Sequence, residues 1–251
     1  MMTRTILAGL AGLAVAAPFA SANTIHEWTW FVGDTGVSQA GGAIEYVRGR
    51  YNNVTQQFRW DMTFSDTIAD GYTLAVSPGP NPKGVSGELA LIHFDAVNTA
   101  APIVNVFSYN GLNALNSWRD GSEAPGEQAP DRVASSIGIN SAAVLNAWVS
   151  DDAGKRSMTL ILDGSIINAH APAYPGSEPW TGVAFGEQIG IWLHPVTGLT
   201  TNYIDGFLCQ FEFRAQGWLD LKDRQTTLVP NPGVIALAGL GGLAAARRRR
   251  G

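Results

Sequence analysis

One cysteine, Cys209, stands in 251 residues. A lone thiol excludes an intramolecular disulfide, so no covalent staple holds this chain. The four histidines, His26, His93, His170 and His194, lie far apart. Metal and nucleophile signatures are missing: there is no H-E-x-x-H, no cysteine pair at zinc spacing, no G-x-S-x-G and no phosphate loop. Carboxylates do not alternate along a strand as E-x-D-x-E. A glycoside hydrolase needs two carboxylates about 5–9.5 Å apart, and such a strand is one way to supply them. Asp220 and Asp223 stand near each other, but off any evident core strand. Charged residues are sparse, at 15%. Helical periodicity is nearly absent between residues 23 and 228, which excludes a helical body.

What the sequence does have begins at its two ends. At the first, Arg4 precedes an apolar stretch, residues 6–19, and Ala20-Ser21-Ala22 forms an A-x-A site. Charge, apolar core and small-residue site in that order read as a secretory signal peptide, residues 1–22, cut after Ala22. At the other end, residues 233–246 form a 14-residue run without a polar or charged side chain. As a helix it would extend about 21 Å, short of a hydrocarbon core about 30 Å thick. Arg247, Arg248, Arg249 and Arg250 follow and can snorkel toward headgroups. Positive flanks stay on the cytoplasmic side, so everything between the two ends is expected outside. Pro230 and Pro232 stop a helix from continuing upstream.

Val229, Pro230, Asn231, Pro232 and Gly233, then the apolar run and the arginine cluster, together resemble the PEP-CTERM sorting signal. The departure is Asn231, where the family carries its name-giving glutamate. The resemblance covers residues 229–251. It implies transient membrane insertion, processing by an exosortase-type thiol protease after passage through the secretion translocon, and a final place at the cell surface or outside the cell. A plain C-terminal anchor is the bland alternative.

Removing both ends leaves 11 of the 16 basic residues against all 21 acidic ones, a formal charge near −10. A field of that sign repels phosphate backbones and disfavours nucleic acid as a partner. The remaining body, residues 23–228, has the length of one well-filled β domain.

Period-two alternation runs through that body. In residues 53–65, Val54, Phe58, Trp60, Met62 and Phe64 point one way and polar side chains the other, as in an antiparallel sheet with one wet face. Segments 88–94 and 103–109 are apolar on both faces and read as central strands; 188–194 and 207–215 read as later ones. Asp163-Gly164 predicts a hairpin that sets Leu160 across from Ile167, and residues 151–155 predict a second. Ten to thirteen strands are expected, with a short helix only within 133–146. Segments 77–87, 116–132 and 170–186, rich in Pro and Gly, read as loops. Segments 70–77, 159–167 and 189–194 make the body similar to concanavalin A-like and laminin G jelly rolls. The expected fold is therefore all-β: an antiparallel jelly-roll-like sandwich flanked by an N-terminal signal helix and a short C-terminal apolar helix.

Candidate functional residues are few. Of eight tryptophans, Trp60 and Trp192 read as core, while Trp118 and Trp180 fall in polar loops. Exposed indoles suit the apolar faces of sugars, so these two are the expected ligand-binding residues and an extracellular polysaccharide the expected partner. Calcium could take oxygens from acidic turns, Asp151 and Asp152 foremost, with Asp120, Glu123, Asn202 and Asp205 as further donors. No other cofactor is expected. His93 reads as a structural histidine and Cys209 as a buried inert thiol. Asn53-Val54-Thr55 matches a glycosylation sequon by chance. The expectation is an exported bacterial surface or matrix protein, non-enzymatic and structural or carbohydrate-binding. The alternative is a secreted carbohydrate-active hydrolase.

Overall fold

The computed structural model describes residues 24–31, 37–77, 88–110, 131–168, 183, 185, 188–220, 224–225 and 227–230. In chain order the strands are β1 (Thr24–Phe31), β2 (Val37–Ser38), β3 (Ile44–Asn52), β4 (Gln57–Phe64), β5 (Gly71–Ser77), β6 (Glu88–Asp95), β7 (Ile103–Asn110), β8 (Asp131–Ser135), β9 (Val144–Asp152), β10 (Lys155–Asp163), β11 (Gln188–Thr197), β12 (Thr200–Ile204), β13 (Phe207–Glu212), β14 (Ala215–Gln216), β15 (Trp218–Asp220), β16 (Arg224–Gln225) and β17 (Thr227–Pro230). One 3-10 turn, Ser141–Ala143, and one helical turn, α1 (Ser165–Asn168), are the only helical pieces among the described residues. The strand total exceeds the sequence expectation because the extra strands are two to four residues long. Such pieces are too short to display alternation.

The strands form an antiparallel β-sandwich. A six-stranded sheet has the order β17-β1-β3-β4-β10-β9. A nine-stranded sheet has the order β2-β15-β11-β5-β6-β7-β8, with β14 and β16 also on β11. The β12–β13 hairpin forms a separate two-stranded ribbon. One core lies between the two larger sheets. Trp28, Trp30, Phe58, Trp60, Met62, Phe64, Met158 and Leu160 enter it from one side, and Tyr72, Leu74, Val76, Ile92, Phe94, Val106, Ile191 and Leu193 from the other. The alternation in β4 thus has the expected face inward. Val54 is the exception, 54% exposed. It precedes the strand, in a turn where the Asn52 side chain accepts the Val54 and Thr55 amides.

The two expected hairpins part company. Asp152 pairs with Lys155, and Ala153-Gly154 makes the tight turn with φ of 50° and 79°. Both residues sit in the left-handed region that a two-residue turn of this hand requires. The Asp163-Gly164 hairpin does not form, and Leu160 faces Trp60 and Ala147 rather than Ile167. The Asp163 carboxylate accepts the Ser165 amide at 3.0 Å and its hydroxyl at 2.6 Å, and Ile167 and Asn168 donate back to the Gly164 carbonyl. Capping wins locally, and the chain coils into α1 instead of reversing.

Two further readings change. Trp192 does not join the central core; it packs half-buried on the outer face of the nine-stranded sheet. Cys209 is likewise half-buried and donates to the Asn202 carbonyl at 3.3 Å. The strand holding it stops at Glu212, and Phe213 is 40% exposed.

Candidate functional site

The outer face of the nine-stranded sheet carries a row of polar side chains. Strand register sets His194, Thr73, His93, Asn105 and Ser135 in one row across β11, β5, β6, β7 and β8. Beside it runs an apolar row of Trp192, Ala75, Leu91 and Phe107. Exposed polar residues on one sheet face would ordinarily meet water. Here the β12–β13 hairpin lies over them, and Asn105 and Ser135 are fully buried.

The hairpin is placed by its turns. After β11 the chain reverses at Gly198, and the Asp70 carboxylate accepts the Gly198 and Leu199 amides. At the tip, Asp205 and Gly206 have φ of 53° and 81°. A Cβ at Gly206 would come within 2.8 Å of the Gly138 Cα, so glycine here permits the tip to touch the connection after β8. Asn105 then pins it. Its carbonyl oxygen accepts the Leu208 amide at 2.7 Å, and its Nδ2 donates to the Gly206 carbonyl at 3.0 Å and to Ser135 Oγ at 2.9 Å. Ser135 donates to the same Gly206 carbonyl. Asp95 Oδ2 accepts the Thr201 hydroxyl at 2.8 Å and the Tyr203 hydroxyl at 2.6 Å. Phe207 meets Phe107 edge-on, and Leu208 joins the same apolar cluster.

Cover changes the electrostatics. His93 is 1% exposed under Phe211, with ring centroids 5.7 Å apart. Burial lowers its pKa from 6.5 to about 4, although the Asp95 charge pulls the other way. His93 is therefore neutral at neutral pH, and its Nε2 makes no hydrogen bond among the described residues. Tyr203 moves strongly upward, first by burial and then by donating to Asp95. The histidine is buried, as its apolar strand suggested.

The hairpin also carries a depression of about 200 Å³, lined by Thr200, Thr201, Asn202, Gln210, Phe211 and Glu212. Thr200 pairs with Glu212 and Asn202 with Gln210, and these four are exposed. Thr201 and Phe211, half-buried, belong to the opposite face. Sequence reasoning assigned no ligand to Thr200, Gln210 or Glu212. The available signal was the polar alternation T-x-N in 200–202 and Q-x-E in 210–212.

The sequence-derived candidates fall in three places. Trp118, Trp180, Ala20, Ala22, Asn231, Pro232, Gly233 and Arg247 to Arg250 lie outside the described residues, as do Asp120 and Glu123. Val229 and Pro230 lie in β17, where Val229 faces Ile25 and Pro230 faces Thr24 of β1. The sheet thus extends two residues past the expected boundary at 228. Asp151 is bound to Arg156, whose Nε and Nη2 donate to its two oxygens at 2.8 Å each. Those hydrogen bonds hold Asp151 below the ordinary carboxylate range. Asp152 stands exposed at the end of β9. Among the described residues no group of three or more His, Cys, Asp or Glu is placed to hold a metal ion, and no helix is long and apolar enough to cross a membrane.

The antiparallel register also gathers loop roots. Ser77, Glu88, Asn110, Asp131 and Gln188 all lie at one end of the nine-stranded sheet. Segments 78–87 and 111–130 connect at that end, and 169–187 enters β11 there. The hairpin is anchored toward the other end, through Asp70, Asp95 and Ser135. The chain matches no protein-family model, no curated protein and no solved structure.

Proposed function

We propose that this chain is an exported bacterial protein of the cell surface or extracellular matrix whose jelly-roll-like body binds polysaccharide and performs no catalysis. The observation that carries the binding reading is the shared end of the nine-stranded sheet. Asn110 and Asp131, which flank the segment that holds Trp118, and Gln188, which follows the one that holds Trp180, all lie at that end. Two stacked indoles contribute about 1 kcal/mol each to a sugar, which is weak alone and useful when many copies face a polymer. The hydrolase alternative has less support, because the buried carboxylates serve the fold: Asp61 with Arg59 and Thr159, and Asp95 with Thr201 and Tyr203.

The export reading rests on the two sequence ends, with their flanking signal and apolar helices. It is supported by the β1–β17 pairing, which sets Thr24 opposite Pro230. A signal peptide cut after Ala22 and an exosortase-processed tail beyond Val229 would both leave from one corner, toward one membrane. The tail inserts transiently and the translocon and exosortase are the passing partners. Intact mass of the exported protein should start at Asn23 and end near residue 230. A mass retaining the four arginines overturns the processing reading. Affinity electrophoresis in polysaccharide gels tests binding: Trp118→Ala/Trp180→Ala should abolish retardation with the melting temperature unchanged. A double variant retarded like the parent overturns the tryptophan reading.

A further inference from the structure

We propose that the depression across β12 and β13 is a subsite for one ring of a neutral polysaccharide, with Thr200, Asn202, Gln210 and Glu212 as its hydrogen-bonding residues. The inference rests on the polysaccharide reading above and gives it a second, separate contact region. Geometry comes first. Thr200 and Glu212 are directly paired, as are Asn202 and Gln210. Side chains directly opposite lie about 5 Å apart, and alternate residues along a strand about 7 Å apart. The four therefore mark the corners of a rectangle the size of a single sugar ring. The volume, about 200 Å³, is below that of sites that enclose larger ligands, so neighbouring rings of a polymer would extend past it.

Chemistry selects the ligand. A carboxamide offers an acceptor and two donors, and a threonine hydroxyl both accepts and donates. Vicinal sugar hydroxyls need this mixture, since each donates one hydrogen bond and accepts others. Asn202 and Gln210 can each take one hydroxyl on the carbonyl oxygen and give an N–H to its neighbour. Glu212 only accepts, and makes charge-assisted bonds to hydroxyl donors. It repels a uronate or sulfate, and the net acidic body adds to that repulsion. One carboxylate is too few for calcium, which takes six to eight oxygens.

Rigidity supports the same reading. Asp70 holds the turn that leads into the hairpin, and Asp95, Asn105 and Ser135 hold its inner face, so the strands that carry the four corners are fixed before any ligand arrives. Pre-organised donors lose less freedom on binding.

The test uses the full exported protein in gels containing neutral glucans or mannans, and in gels of a uronate polymer. The parent should be retarded only by a neutral polymer. Asn202→Ala/Gln210→Ala should weaken that retardation about tenfold or more with an unchanged melting temperature, since both residues are exposed. Gln210→Glu keeps the shape, drops the N–H donors and should weaken it in the same direction. Glu212→Gln should admit the uronate polymer. Undiminished retardation of Asn202→Ala/Gln210→Ala overturns the subsite; if Trp118→Ala/Trp180→Ala abolishes binding in the same gels, the general polysaccharide reading survives that failure. Retardation of the parent by the uronate polymer alone overturns the neutral-sugar assignment. A parent unretarded by any polymer overturns the subsite and the polysaccharide reading together.

Discussion

Two polar rows, one on each outer face of the sandwich, have opposite fates. On the six-stranded sheet, register aligns Thr29, Arg48, Asp61, Thr159 and Trp148. On the nine-stranded sheet it aligns His194, Thr73, His93, Asn105 and Ser135. The first row keeps its charges, although Asp61 and Thr159 are buried within it. Arg59 donates to both oxygens of Asp61, Arg48 stands 3.3 Å from it, and Arg59 lies over the Trp148 ring. Burial alone would raise the Asp61 carboxyl, but hydrogen bonds from Arg59 and Thr159 and the arginine charges bring it below its ordinary value. In the second row His93, Asn105 and Ser135 are buried, and Asn105 and Ser135 bond the backbone of the hairpin. Arginines hold the charge of Asp61; under the hairpin the uncharged side chains of Asn105 and Ser135 do much of the bonding at lower desolvation cost, and the carboxylate of Asp95 is held by two hydroxyls.

The core beneath both rows is the first place to break them. Trp60 is fully buried between the sheets, and its indole N–H makes no hydrogen bond among the described residues. Trp60→Ala should cost about 3–5 kcal/mol, measured by chemical denaturation. An unchanged midpoint would refute the burial of β4.

Acid should then separate the faces. His93 has a lower pKa folded than unfolded, so protons favour the unfolded chain. Its stabilising neutral form is intact above pH 6.5, and stability falls as pH drops from 6.5 to about 4, by about 3 kcal/mol at most, then levels. Asp61, depressed in the folded state, contributes stability above the usual carboxylate range and loses it in stronger acid. Denaturation across pH 4–7 should show the slope, and His93→Leu should flatten it. A variant with the parent's slope would place the titration elsewhere.

Asn105→Ala removes the partner of the Leu208 amide and one of the Gly206 carbonyl's two donors. The expected loss is about 2–3 kcal/mol, with faster amide hydrogen exchange in β12–β13 than in β4. Uniform exchange would mean that the hairpin is held by other contacts. The smallest effect belongs to the charged row. Arg48→Ala should cost under about 1 kcal/mol, because its side chain is 29% exposed and water screens the pair. Loss comparable to Asn105→Ala would erase the distinction between the faces.

Much of the fold was legible in single strands. Phe58, Trp60, Met62 and Phe64 alternate because one face of β4 is core, and Ala153-Gly154 marks its hairpin through the backbone angles it adopts. Asp163-Gly164 carried the same signal and misled, since the Asp163 side chain captures Ser165. Trp192 was assigned to the core because its size and apolar strand suit either face. The candidate site was less legible. Thr200, Asn202, Gln210 and Glu212 sit on two short strands, and their convergence depends on pairing that no local pattern states.

By itself, the sequence determined the antiparallel strands, the inward face of most of them and the absence of an intramolecular disulfide. These follow from side-chain size, polarity and backbone preference, which act within a few residues. Tertiary structure alone decided that a second polar face would be buried, that His93 would titrate near 4, and that Thr24 would meet Pro230. Each of these depends on partners far apart in the chain. Asn105 and Leu208 are 103 residues from each other, and only the closed sandwich brings them to 2.7 Å.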